Sequence, residues 1–173
     1  MTDLALSVTS PARLTAETPA DAVVEAVEAI VVRLGLGRFA ADLASVAEVG
    51  RVPEITRIPG VPAWLAGVAN WRGRILPVLD LRRLLGAQAA QPSRSSRLLV
   101  LTERGIVVGV LVDAVEDTIT LGVDVAPVPA GLPVEAIGLL RGQLVRDNGP
   151  VAVLDVDAVM RLRERLPRGR RSV

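Results

Sequence analysis

The sequence predicts an all-β protein with short helices, organised as a pair of small barrels. Three observations carry this expectation. Half of the 173 residues are apolar, yet only Phe39, Trp64 and Trp71 are aromatic. The interior must then be built from Val, Leu, Ile and Ala, a set rich in the β-branched residues that suit strands. The apolar runs are short and punctuated by Gly and Pro, as in small all-β folds. Their order also repeats: Val78-Leu79-Asp80-Leu81 is echoed by Val153-Leu154-Asp155-Val156, and Ser45-Val46-Ala47-Glu48 by Asp113-Ala114-Val115-Glu116. Two copies of a five-strand unit account for the length and for the number of short strands.

Residues 1–22 are rich in Thr, Ser, Ala and Pro and read as a flexible extension. A folded domain is expected over 23–166, followed by an Arg-rich tail at 167–173. Ala29–Gly35 reads as a strand, Gly35 and Gly37 as its turn, and Arg38–Asp42 as the returning strand. Leu43–Val49 fits a helical turn and an extended piece equally. Ile55–Ile58 is a short strand, and Ala63–Ala69 is expected to form a helical turn. Arg74–Asp80 follows as a strand, placed at an edge or a bulge because Pro77 has no N–H for a ladder. Asp80 caps a short helix Leu81–Leu85 that Gly86 ends. Residues 87–96 form a polar linker. Leu98–Leu101 and Ile106–Val112 make a hairpin around Arg104-Gly105, and Val115–Leu121, Ile137–Val145 and Pro150–Val156 are further strands. A helix from Asp157 to Leu166 closes the domain before Pro167.

Composition excludes much chemistry. The chain has no Cys, no His and no Lys, its 20 basic residues all being Arg. Disulfides, thiol nucleophiles, Cys/His zinc sites, His-dependent triads, histidine phosphotransfer and Ser-Lys dyads are therefore excluded. No glycine-rich phosphate loop follows a strand. Asp80 and Asp155 could be paired as acid and base, but each follows a strand and precedes a helix, where Asp caps exposed N–H groups. The residues thus point away from an enzyme and from a cofactor, and leave a purely carboxylate metal or acid/base site as the one possibility of that kind. A net charge of +1 is too small for binding driven by phosphate neutralisation. The basic run Arg161, Arg163, Arg165, Arg168, Arg170 and Arg171 reads as a polar helix face and tail, or else as a membrane-surface or nucleic-acid contact. The longest uncharged stretch, 58–71, falls short of the ~18 residues of a membrane span. No basic region precedes an apolar core at the N-terminus, so a cytoplasmic protein is expected.

Asn70-Trp71-Arg72-Gly73 stands apart. Asn and Gly are ordinary turn residues, but a turn gives no role to Arg72 beside Trp71. A guanidinium next to an indole, beside exposed backbone, is the chemistry of a protein-recognition hot spot.

Residues 54–86 resemble the signature block of CheW-like domains, the adaptors of bacterial chemosensory signalling. The match rests on Pro59, Pro62, Gly67, Asn70, Arg72, Gly73, Pro77, Asp80 and Arg82. Weaker similarity extends over about 26–166. The resemblance implies two intertwined five-stranded SH3-like β-barrels. It also implies a non-catalytic scaffold that couples the cytoplasmic tip of a chemoreceptor to the regulatory domain of the histidine kinase CheA. Its membrane association would come only through those partners. Carried over by motif, Arg72 and Asn70 face the receptor groove between the barrels, Glu48 and Val46 lie on the neighbouring face, and Gly67 permits close backbone approach. Trp71 departs from the pattern, which has a small aliphatic residue there. The alternative reading within the family is an adaptor for a type IV pilus or another non-flagellar pathway. A small-barrel nucleic-acid binder is disfavoured by the lack of aromatic stacking residues. The Met1 start and the linker-like first residues are those expected of a stand-alone protein rather than a detached kinase domain.

Overall fold

The structure, a computed structural model, describes residues 26–88, 90–122 and 125–165. The expected extension 1–22 and tail 167–173 lie outside the described residues, as does Leu166.

The chain starts with the hairpin β1 (Val27–Leu34) and β2 (Gly37–Asp42), then crosses a 3-10 turn at Leu43–Ser45 into β3 (Val46–Arg51). The two alternatives for Leu43–Val49 are thus both present, one after the other. β4 (Ile55–Thr56), β5 (Leu65–Trp71) and β6 (Arg74–Leu79) follow, then the hairpin β7 (Arg97–Glu103) and β8 (Ile106–Val112). β9 (Ala114–Leu121), the one-turn helix α1 (Val134–Ile137), the hairpin β10 (Leu140–Arg146) and β11 (Gly149–Leu154), and α2 (Val156–Arg161) complete the order.

Two sheets result, β10-β11-β2-β1-β9 and β3-β7-β8-β6-β5-β4. They are built alike. In each, a long hairpin (β1–β2 or β7–β8) pairs in parallel with the second strand of another hairpin, β11 along β2 and β6 along β8. The third strand of each unit is exchanged. β3 follows β1–β2 in the chain but pairs with β7, while β9 follows β7–β8 and pairs with β1. This exchange is what intertwines the halves. The second sheet carries β4 as a sixth, two-residue strand.

Strand alternation explains why the central runs are apolar on both faces. Val31 packs inside the first sheet with Ala40, Val151 and Val153, whereas its neighbour Val32 faces a core shared by both halves. Leu98 and Val100 pack inside the second sheet with Val78, while Leu99 and Leu101 join the shared core. Each of the Val and Leu side chains named contributes about 1.5–3 kcal/mol on burial.

Four expectations are corrected. Ala63–Ala69 is not a helical turn: a single turn closes from Leu65 N–H to the Pro62 carbonyl (2.9 Å), and Leu65 onward is β5. The run was too short for periodicity to decide, and pairing with β6 decided it. Ile137 belongs to α1, which opens after Pro133, so the strand starts only at Leu140. β6 is an interior strand, but its ladder with β8 begins at Val78, so Pro77 stays outside it; the register shift lies across from it in β5, between Leu65 and Gly67. Finally, the repeat around β3 is shifted by one residue. Two residues back from each hairpin end, Leu101 faces Val46 and Val32 faces Val115. Val46-Ala47-Glu48 therefore matches Val115-Glu116-Asp117, not Ala114-Val115-Glu116.

Candidate functional site

The site forms where the β5–β6 hairpin meets β3. Trp71 and Arg74 are the last paired residues, so Arg72-Gly73 is a two-residue turn. Both have positive φ, 51° and 79°, the pattern of a type I′ turn that suits the twist of the strands. Glycine accepts this backbone freely, but Arg72 holds it at a cost. Asn70 Oδ1 accepts the Gly73 N–H at 2.9 Å and fixes the turn.

β3 and β5 are not neighbours in the sheet, and Trp71 joins them. Its ring lies against Gly50 so closely that a Cβ there would sit 2.2 Å from Cη2. Trp71 Nε1 donates to Glu48 Oε2 at 3.1 Å, and Arg72 Nη2 donates to Glu48 Oε1. One carboxylate thus receives two donors from the same hairpin, one on each oxygen. Arg72, first among the causes, holds the Glu48 carboxyl below the ordinary carboxylate range; partial burial opposes this, and Trp71 and the Arg72 charge add to it. The Arg72 side chain remains 75% exposed, against 29% for Glu48.

The predicted residues therefore separate. Glu48, Trp71 and Arg72 come together, with Asn70 holding the turn. Val46 packs against the shared core instead. Gly67, at φ 147°, is in the sheet: a Cβ there would be 2.2 Å from the Thr56 carbonyl oxygen. Gly142 occupies the equivalent bulge of the other half, where a Cβ would be 2.5 Å from the Ala126 carbonyl oxygen. The approach of backbones at Gly67 is thus that of β4 to β5. A cleft of ≈ 620 Å³ runs beside β4, lined by Ile55, Arg57, Leu65, Arg83 and Leu111 among others, and does not include Glu48, Trp71 or Arg72.

Sequence reasoning missed Gly50, whose only signal was a glycine inside a strand. It also missed the role of Arg82, which is 1% exposed. Its guanidinium donates to both oxygens of Asp80 (2.8 Å each), to Asp113 Oδ1 (2.8 Å) and to the Ala90 carbonyl (2.9 Å). Asp113 Oδ2 accepts the Gly35 N–H at 2.6 Å. The linker is thus tied down, and Asp80 is more than a cap, although it also accepts the Arg82 N–H. Hydrogen bonding to Asp80 raises the pKa of Arg82 further. Asp155 accepts the Ala158 N–H at 2.9 Å, as a cap does.

A family model for the CheW-like domain matches residues 28–164. The chain belongs to the CheW-like domain family. It is 32% identical over 139 residues to a chemotaxis protein CheW of Rhizobium meliloti, covering 80% of this chain and 90% of that protein. It is 38% identical over 104 residues to protein PilI of Pseudomonas aeruginosa, covering 60% and 58%. Among solved structures, the scaffolding protein TtCheW of Thermoanaerobacter tengcongensis superposes with a TM-score of 0.67 at 26% identity, over 76% of this chain and 85% of that one. The fold is thus that of CheW, with two intertwined sheets. Among the described residues no helix is long and apolar enough to cross a membrane.

Proposed function

We propose that this CheW-like protein is a non-catalytic coupling adaptor of chemosensory signal transduction. It joins the cytoplasmic tip of a chemoreceptor to the regulatory domain of a CheA-type histidine kinase, and works in the cytoplasm beside receptor arrays. Family membership and the chemotaxis relatives support this reading. Its docking face is the Glu48–Trp71–Arg72 surface, with Asn70 holding the turn and Val46 and Gly67 supporting it from the core and the sheet.

The observation that carries the site assignment is the exposed guanidinium of Arg72, raised on a strained turn and aimed by a half-buried carboxylate. A partly pre-oriented Arg loses less freedom on binding than a free one. Reconstitution with a cognate kinase and receptor tests the reading: Arg72→Ala should weaken assembly by roughly 1–3 kcal/mol and uncouple the kinase without unfolding the domain. Unchanged coupling by that variant sinks the site assignment.

A type IV pilus or other non-flagellar pathway is the second reading. The similarity to PilI, and to protein FrzA of Myxococcus xanthus, is compatible with it. Binding to kinases and receptors of each class, measured side by side, separates the two.

A further inference from the structure

We propose that Trp71 is the positioning residue of the docking face: its seated indole keeps Glu48 in place while the Arg72 guanidinium is exchanged between Glu48 and an acceptor on the partner. The inference rests on the reading of this face as a docking surface and adds the residue that sets its affinity from behind.

The two donors on Glu48 are unequal. Arg72 is largely exposed, and an ion pair screened by solvent is weak, so that arm opens readily. Only its Nη2 finds an acceptor among the described residues, which leaves the rest of the five-donor fork for a partner. The Trp71 arm cannot swing in the same way, because its ring is seated against Gly50 and its N–H points at the other carboxylate oxygen. With Trp71 in place, Glu48 stays anchored when Arg72 leaves and remains able to take it back.

The other half of the molecule shows that this arrangement is not a by-product of the fold. Its equivalent positions hold Asp117 for Glu48, Arg146 for Trp71, Asp147 for Arg72 and Ile119 for Gly50. Asp117 Oδ1 there accepts the N–H of the next residue, Thr118. Ile119 carries a buried side chain where Gly50 has none. The pairing of a bulky ring with a glycine, and of its N–H with a carboxylate, occurs in one half.

The test uses the full chain with a kinase regulatory domain and a receptor-tip fragment. Trp71→Phe keeps an aromatic ring but removes the N–H and the outer ring edge that lies on Gly50. It should raise the Kd about three- to tenfold while the domain still unfolds cooperatively in urea. In a Glu48→Gln background the same substitution should add less than about twofold, since the shared acceptor is already altered. In a Trp64→Phe chain, where Trp71 is the lone tryptophan, Glu48→Gln should shift its emission. Binding by Trp71→Phe within about twofold of the parent, alongside a tenfold or greater loss by Arg72→Ala, would overturn the inference while leaving the docking reading intact. Additive losses from Trp71→Phe and Glu48→Gln would do the same, because the indole would then act by packing alone. No loss by Arg72→Ala would remove the docking reading and this inference with it.

Discussion

The two halves share one architecture down to the bulge glycines, yet they differ in the charged clasp at the hairpin end: in the second sheet Glu48 takes both donors, Trp71 and Arg72, from the β5–β6 hairpin itself. In the first sheet Arg38 does a related job by other means: its Nε donates to Glu116 at 2.7 Å and its Nη1 to Asn148 Oδ1 at 2.7 Å. That Arg lies within β2 and reaches the β10–β11 turn from the neighbouring strand, and its side chain is only 19% exposed. The corresponding guanidinium of the second sheet is on the turn itself and open to solvent. The difference teaches that holding a hairpin to its neighbouring strand does not require an exposed Arg. The exposure of Arg72 is a property of this site beyond what the fold demands. Turn conformation does not distinguish it either, since Arg104 of the β7–β8 turn also has a positive φ, of 48°. What distinguishes Arg72 is the carboxylate and indole behind it.

The largest test of this contrast is at the helical turns after β6 and β11. Arg82 is buried among two carboxylates, while its counterpart Asp157 is exposed. Arg82→Ala should cost about 3–5 kcal/mol in urea unfolding, because it leaves Asp80 buried without its partner. Asp157→Ala should change stability by less than about 0.5 kcal/mol. Equal effects would break the assignment of Arg82 as the tie between the β1–β2 turn, β6 and the linker.

Gly67 and Gly142 come next. A Cβ at either collides with a backbone carbonyl, so Gly67→Ala and Gly142→Ala should each cost about 1–3 kcal/mol. Gly67 also has a positive φ and should be the worse of the two. If Gly67→Ala left stability unchanged but abolished partner binding, Gly67 would return to the docking face.

Arg72→Ala should alter stability by no more than about 1 kcal/mol, since the ion pair is largely in solvent, whatever it does to binding. The smallest effect is on pH. Glu48 is held below its ordinary pKa of 4.5 in the folded state, so its contribution is complete above that value and is lost as pH falls through the lowered one. Below pH 4.5, Glu48→Gln should flatten part of the acid limb of the stability curve.

Much of the fold was legible because local signals agreed. Gly35, Gly73, Gly86 and Gly105 all take the positive φ expected of turn and cap glycines, and Asp80 and Asp155 both cap. The short runs at 63–69 and 137–139 misled because so few apolar residues fit either period. At the site, Arg72, Asn70 and Glu48 could be singled out by residue type and motif. The reason for Trp71 could not, because it lies at Gly50, 21 positions away on a strand that is not its neighbour in the sheet. Arg82 looked like one more Arg in a basic run, since burial of a charge depends on partners that only folding assembles.

The sequence by itself determined the strand-rich class, the hairpins and the caps. These depend on backbone preferences and on apolar patterning within a few residues. The tertiary structure decided the exchange of β3 and β9, the seat of Trp71 and the burial of Arg82. Each of those joins groups far apart in the chain, and their energies come from contacts that no local pattern encodes. The surface at Asn70–Gly73 is accordingly half local, in its turn, and half long-range, in the carboxylate of Glu48 that aims it.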